Sequence, residues 1–205
     1  MQYDNSEPDW RQVLNGDPIM ASIIKESKEI VDEPHEDIYL SLLSSIISQQ
    51  LSTKVARVIR NRFLALFPNN YPPPEAVLLK TDEELRSVGL SFQKIGYIRN
   101  VALFAQAGEL NYAVISELKD EALIKHLTQI KGVGRWTAEM ILMFTLGRPD
   151  VFPVDDLGIQ NAIKKHYNLS QTGKELLARI TQIAEPWRPH RTIACRYLWQ
   201  SLDNN

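Results

Sequence analysis

Hydrophobic positions recur along this chain at three- and four-residue intervals, and nowhere alternate with polar ones over the length of a strand. That spacing predicts helices throughout. Asp9 to Asn15 and Asp17 to Ser27 read as two short helices, the second capped by Asp17 with Pro18 in its first position. From Ile38 to Gln50 apolar residues run nearly all round the helix, which suits one enclosed by others. Ser52 caps the next, Lys54 to Phe67, and the proline-rich run Pro68 to Pro74 ends it. Thr81 to Val88 opens with Thr-Asp-Glu-Glu, an N-terminal capping pattern. Further helices are predicted over Phe92 to Ala107, Ser116 to Leu127, Arg135 to Leu146, Asp156 to Tyr167, Gly173 to Ala184 and Pro189 to Leu202. With short loops, no internal repeat and no low-complexity segment, the pattern specifies an all-α fold.

Two of these helices meet at an unusual junction. Gly132-Val133-Gly134 separates an apolar segment with helical spacing (Leu123, Ile124, Leu127, Ile130) from the helix that follows. Glycines suit so tight a turn because they reach positive φ at little cost and let another backbone come close. The amides of Gly134, Arg135 and Trp136 then stand at a helix N-terminus, where a phosphate binds readily. Over about 123–146 this is a helix-hairpin-helix, a device that grips a DNA strand by its backbone without reading sequence. Gly132, Gly134, Arg135 and Thr137 are its expected phosphate contacts. A plain turn between two helices could carry the same glycines.

Composition narrows the classes. A single cysteine, Cys195, excludes an internal disulfide and a four-cysteine iron–sulfur site, and with four scattered histidines it leaves no zinc-type cluster. The N-terminus is polar and acidic, unlike a signal peptide, and no apolar run approaches the roughly 20 residues that span a bilayer. A soluble, intracellular protein is expected. The net charge of −2 is no basic footprint, but it is uneven. Residues 121–205 carry eleven Lys/Arg against eight Asp/Glu, while residues 1–120 carry twelve against seventeen. The hairpin half is the basic half.

Beyond the hairpin comes Val151-Phe-Pro-Val-Asp-Asp-Leu-Gly-Ile-Gln160, an apolar run ending in two acids that opens a new helix. Together with Ile46 to Ser52, Gly89-Leu-Ser-x-x-Lys94 and Trp187 to Trp199, these motifs resemble the helix-hairpin-helix (HhH-GPD) DNA glycosylases. The hairpin Gly-x-Gly-Arg-Trp-Thr-Ala is most similar to the 3-methyladenine DNA glycosylase II branch, and the resemblance spans most of residues 30–200. It implies a two-lobed arrangement: a contiguous helical lobe, 36–150, faces a second made of 1–35 plus 151–205, and a cleft between them takes the flipped base. The chain is too short for the N-terminal sheet domain of some relatives. The implied activity is monofunctional excision of alkylated purines of the 3-methyladenine and 7-methylguanine type from double-stranded DNA, by a monomer needing no cofactor. A non-catalytic damaged-DNA-binding module, or a glycosylase for deaminated or oxidised bases, is the alternative.

The resemblance also assigns residues. Breaking the bond from base to sugar passes through a cationic sugar, so the site needs a fixed negative charge near C1′. The second acid, Asp156, aligns with the catalytic aspartate and Asp155 with its structural neighbour; read from the residues alone, both could simply cap the helix starting at Leu157. Trp136 stands where the glycosylase/lyase branches carry a Schiff-base lysine, and an indole has no amine to offer. It also suits stacking on a cationic alkylpurine, although packing between helices is the ordinary use of a tryptophan. Trp199 matches a second aromatic of the base pocket, with core packing as its rival; Trp10 and Trp187 read as core. Gln50 aligns with the wedge that fills the gap left by the flipped nucleotide, or else satisfies a helix C-terminus. The role of Lys94 stays open. The carbonyls of Thr128, Ile130 and Val133 match those that hold a structural sodium or potassium ion in family hairpins.

Overall fold

The computed structural model describes residues 9–31 and 37–203, and among them every regular element is helical. The polar N-terminal octapeptide and the boundary expected near residue 36 lie outside the described residues. By internal contacts the chain divides into two units, one formed by Met1–Glu33 with Gly147–Asn205, the other by Pro34–Leu146.

The first unit begins with α1 (Trp10–Leu14) and α2 (Pro18–Glu26). Asp17 caps α2 as its sequence demands, Oδ1 accepting from the amides of Ile19 at 2.9 Å and Met20 at 3.2 Å.

The contiguous unit follows: α3 (Ile38–Ser48), α4 (Thr53–Leu64), α5 (Pro74–Leu79), α6 (Asp82–Ser87), α7 (Phe92–Gln106), α8 (Tyr112–Ile115), α9 (Asp120–Leu127) and α10 (Arg135–Met140). Helix α3 is its centre. It packs against α4 and α7, and against a π-helical turn, Ile141–Thr145, that continues α10. Ile38, Tyr39, Leu42, Leu43, Ile46 and Ile47 are buried as a result, which is why its apolar residues go all round. Burying six such side chains contributes on the order of 10 kcal/mol before conformational entropy is set against it. The capping box read at Thr81 forms, with the Thr81 amide donating to Glu84 Oε2 at 2.8 Å and the Glu84 amide to Thr81 Oγ1 at 3.2 Å.

The structure departs from the predicted elements in three places. The prolines taken as a helix end also start one: Pro74 is the first residue of α5, where a missing amide costs nothing. The helix expected from Ser116 begins instead at Asp120, whose carboxylate and that of Glu121 favour the N-terminal turn, and Asn111 caps the separate α8. The helix expected to run from Arg135 to Leu146 widens to π geometry at Ile141.

The chain then completes the first unit with α11 (Leu157–His166), α12 (Gly173–Ala184) and α13 (Arg191–Asp203). Helix α13 lies against α2 and α11. Asp17 joins the unit's two chain segments: its Oδ2 accepts from the Tyr167 hydroxyl at 2.5 Å and from the indole of fully buried Trp187 at 3.1 Å. Trp10 is half-buried, its ring 5.7 Å from that of Tyr197.

Candidate functional site

In the contiguous unit, α9 and α10 form the hairpin, and its two glycines do different work. Gly132 takes φ of +107°, and a Cβ there would stand 2.3 Å from Cγ of Tyr97 on α7, so both the turn and the close approach exclude a side chain. Gly134 has φ of −92°, which any residue adopts; nothing lies within 4 Å of where its Cβ would be. Its service is open space. The first backbone bond of α10 runs from the Ala138 amide to the Gly134 carbonyl at 3.0 Å, so the amides before Ala138 stand outside the helical ladder.

Side chains add little charge to this end. The Arg135 guanidinium is held by Glu121 of α9, with Nη1 to Oε2 at 3.1 Å, and by Glu139, with Nε to Oε1 at 3.0 Å. These carboxylates hold its pKa above the usual arginine range. Arg135 therefore ties the two hairpin helices together. The Thr137 side chain is buried. The turn's carbonyls are partly engaged: that of Ile130 accepts from the Val133 amide at 2.9 Å, using one of two lone pairs.

A second loop of the same unit joins the hairpin. After α3 ends at Ser48, Gln50 is exposed with φ of +59°, in the left-handed region that a side chain disfavours. The neighbouring Gln49 reaches the hairpin, its Nε2 donating to the Gly132 carbonyl at 3.1 Å. The carbonyls of Ile47 and Gln49 accept from Lys94 Nζ, each at 2.7 Å, so satisfying this helix end falls to Lys94.

Trp136 is 42% exposed, which is more than a packing residue requires. Sequence reasoning missed the open groove of about 860 Å³ on this unit, lined by Ser41, Ser44, Ser45 and Ser48 of α3 and by Met140 and Phe144. Its signal was present: serines at intervals of three, four and seven residues draw one polar stripe along an apolar helix. Arg60 closes part of it, donating from Nε to Ser44 Oγ at 2.9 Å.

The acidic site belongs to the other unit. The chain reaching it is pinned by Thr192, whose Oγ1 accepts from the Val151 amide at 3.0 Å and donates to the Arg148 carbonyl at 2.6 Å. A tight turn follows, the Asp156 amide donating to the Pro153 carbonyl at 2.9 Å. Asp156 is half-buried and is itself the N-cap of α11, while Asp155 is exposed. One oxygen, Oδ1, accepts both from the Ile159 amide at 2.8 Å and from the Trp199 indole at 2.9 Å. Two donors on one oxygen fix the plane of the carboxylate. Gly158 makes the indole's approach possible, because a Cβ there would lie 2.9 Å from Trp199 Cδ1 and 3.0 Å from both Trp199 Nε1 and Asp156 Oδ1. Capping and aiming are thus one interaction. Trp199 orients the acid, a relation that sequence spacing could not show.

Among the described residues no group of His, Cys, Asp and Glu could hold a metal ion, and no helix is long and apolar enough to cross a membrane.

Comparison with known proteins agrees with this architecture. A model of the HhH-GPD superfamily of base excision DNA repair proteins matches residues 43–189. The DNA-3-methyladenine glycosylase 1 of Schizosaccharomyces pombe is 37% identical over 171 residues, covering 82% of this chain and 72% of the relative. The YfjP protein of Bacillus subtilis is 32% identical over 81% of this chain, which spans only 59% of that relative's length. Among solved structures, the S. pombe 3-methyladenine DNA glycosylase Mag1 in complex with abasic DNA superposes with a TM-score of 0.82 at 32% identity, over 94% of this chain and 95% of that one. The all-helical helix-hairpin-helix glycosylase fold expected from sequence is the fold found.

Proposed function

This chain belongs to the HhH-GPD superfamily of base excision DNA repair proteins, and on that premise we propose that it is a monofunctional DNA N-glycosylase, acting as a monomer, that excises alkylated purines from double-stranded DNA. One observation carries the hydrolytic reading. Asp156 presents a carboxylate held in plane by Trp199 and the start of α11, while position 136 offers an indole and no amine.

The chemistry follows from those groups. The hairpin amides at Gly134 to Thr137, with Gly132 shaping the turn, take a backbone phosphate of the lesion-bearing strand. The damaged nucleotide leaves the stack, a step that costs a few kcal/mol, and Gln50 fills the gap it leaves. An alkylated purine carries positive charge, so its glycosidic electron pair departs readily into the ring, and stacking on Trp136 contributes about 0.5–2 kcal/mol. Cationic character develops on the sugar, and Asp156 stabilises it. Water then adds at C1′ and gives its proton to the carboxylate or to solvent. The products are a free base and an intact strand with an abasic site. The relatives' names and the abasic-DNA complex support this substrate class.

The hairpin carbonyls of Thr128, Ile130 and Val133 are uncharged hard donors, and the Ile130 oxygen keeps a lone pair beyond its bond to Val133. They fit a sodium or potassium ion, which would supply positive charge near the phosphate and take no part in bond breaking. An enzyme of this kind works wherever the cell keeps its DNA.

Incubation with duplex DNA treated with a methylating agent, followed by chromatography of the released bases, tests the reading. Free 3-methyladenine and 7-methylguanine are expected, with strands uncut until alkali is added. No release at saturating enzyme refutes it and leaves a binding module. A covalent adduct trapped by borohydride refutes the monofunctional assignment.

A further inference from the structure

One face of α7 holds both loops that the proposed function brings to DNA. Lys94, Tyr97 and Asn100 follow one another at three-residue spacing, so they share a side of the helix. Lys94 Nζ bonds the carbonyls of Ile47, in the last turn of α3, and of Gln49, its cap. Tyr97 fills the space that Gly132 leaves, and Asn100 Nδ2 donates to the Lys131 carbonyl at 3.1 Å. Gln49 closes the circuit by donating to the Gly132 carbonyl.

Gln50 follows directly on Gln49, exposed and in a left-handed conformation. Such a conformation persists in a residue with a side chain only where its surroundings over-determine it. The surroundings here are the two carbonyls gathered by one ammonium. An ordinary surface lysine would keep its hydration; this one has lost part of it, and desolvation lowers its pKa. A cation at a helix C-terminus also meets the negative end of the helix dipole.

We propose that Lys94 is a positioning residue for base extrusion: by drawing together the carbonyls of Ile47 and Gln49 it holds Gln50 in the conformation from which it enters the duplex, in fixed register with the hairpin. This rests on the reading that Gln50 fills the gap left by the lesion. The loop and the hairpin then meet DNA as one rigid surface, so gripping the backbone and invading the stack are a single event.

The test compares two substrates under single-turnover conditions. One carries 7-methylguanine in a base-paired duplex, the other carries it in a single-nucleotide bulge, where most of the unstacking has already happened. Lys94→Met should slow the paired substrate by about 30-fold and the bulged one by no more than about 3-fold, since only the paired one needs the wedge. Gln50→Ala should give the same selective loss. Lys94→Arg, which can still donate to both carbonyls, should recover most of the paired rate. Equal slowing of both substrates by Lys94→Met would make Lys94 a scaffold residue, and unchanged rates on both would give it no role; either result overturns the proposal. Should Lys94→Met show no cooperative melt, Lys94→Gln replaces it and is read by the same ratio. A wild-type protein inactive on both substrates would instead remove the hydrolase reading, which keeps the two failures distinct.

Discussion

Replacing Gly158 by alanine tests the geometry of the acidic site most sharply, because local and tertiary effects oppose each other. Gly158 is the second residue of α11, and in a helix interior alanine is favoured over glycine by up to about 1 kcal/mol. The added methyl, however, would lie 2.9 Å from Trp199 Cδ1 and 3.0 Å from both Trp199 Nε1 and Asp156 Oδ1. Ordinary contact begins at 3.4 Å, so gaps of 0.4 to 0.5 Å must open. The indole cannot simply withdraw, for its helix is anchored by buried Ala194, Cys195 and Leu198. The bond between the indole and Oδ1 lengthens or breaks. A hydrogen bond to a charged group contributes about 1.5–3 kcal/mol, and overpacking costs about 1–3 kcal/mol. Offset by helix propensity, the net destabilisation is about 1.5–5 kcal/mol, a fall in melting temperature of about 3–20 °C for a chain of this size. Catalysis should suffer more than folding. A misplacement of 1 Å costs about 100-fold in rate, so a shift of half that predicts a loss on the order of 10-fold or more. Single-turnover release of 7-methylguanine, read beside binding to duplex DNA with an abasic analogue, separates the two: release should fall while binding stays within about 2-fold. Trp199→Phe should show the same loss, and the double variant should be less than additive because both act on one contact. Full activity of Gly158→Ala would refute the reasoning.

Asp156→Asn should keep DNA binding and lower excision by several powers of ten; asparagine caps a helix as well as aspartate, so its melting temperature should barely move. Asp155→Asn should be silent in both assays, and the reverse pattern would show the assignment shifted by one residue. Gly134→Asp meets no steric obstacle and needs no unusual φ, so fold stability should survive while all duplexes bind more weakly, with release from bound DNA spared. Asp17→Ala removes a helix cap contributing about 1 kcal/mol and strands the Tyr167 hydroxyl and Trp187 indole at about 1–3 kcal/mol each, a loss of about 3–7 kcal/mol measurable by urea unfolding. His166 has its pKa lowered from 6.5 by burial and then by Lys165, so its contribution to stability is complete above pH 6.5 and is lost as pH falls below it. His166→Gln should flatten that part of the stability profile.

What the sequence made legible was whatever is decided within a turn of helix. Asp17 before Pro18, Ser52, and Thr81 with Glu84 each announced a helix start through bonds spanning three residues or fewer. Pro74 was misleading because the residue that ends one helix equally begins another. The π turn at Ile141 carries no local signature, since its extra residue is accommodated by packing on α3. Arg135 shows the divide within one side chain: its bond to Glu139 lies at helical spacing, but its bond to Glu121 exists only once the hairpin has closed. The same holds for Trp199 on Asp156 and Lys94 on Ile47, pairs more than forty positions apart. For Asp156 the residues alone spoke only of a helix cap, and the family resemblance pointed to chemistry; its orientation by Trp199 was legible in neither.

The interleaving of the two units has a consequence for synthesis. Pro34–Leu146 is unbroken, so all of its residues have been joined before Gly147 is added. The unit bearing Asp156 must wait. Its first helices are made before the contiguous unit, yet the partners of Asp17, Tyr167 and Trp187, follow only after it. Until then the growing chain carries the residues of the hairpin but not the complete unit that bears Asp156. The order of synthesis therefore separates the two units: the residues that form the hairpin precede, and those that hold and orient Asp156 follow.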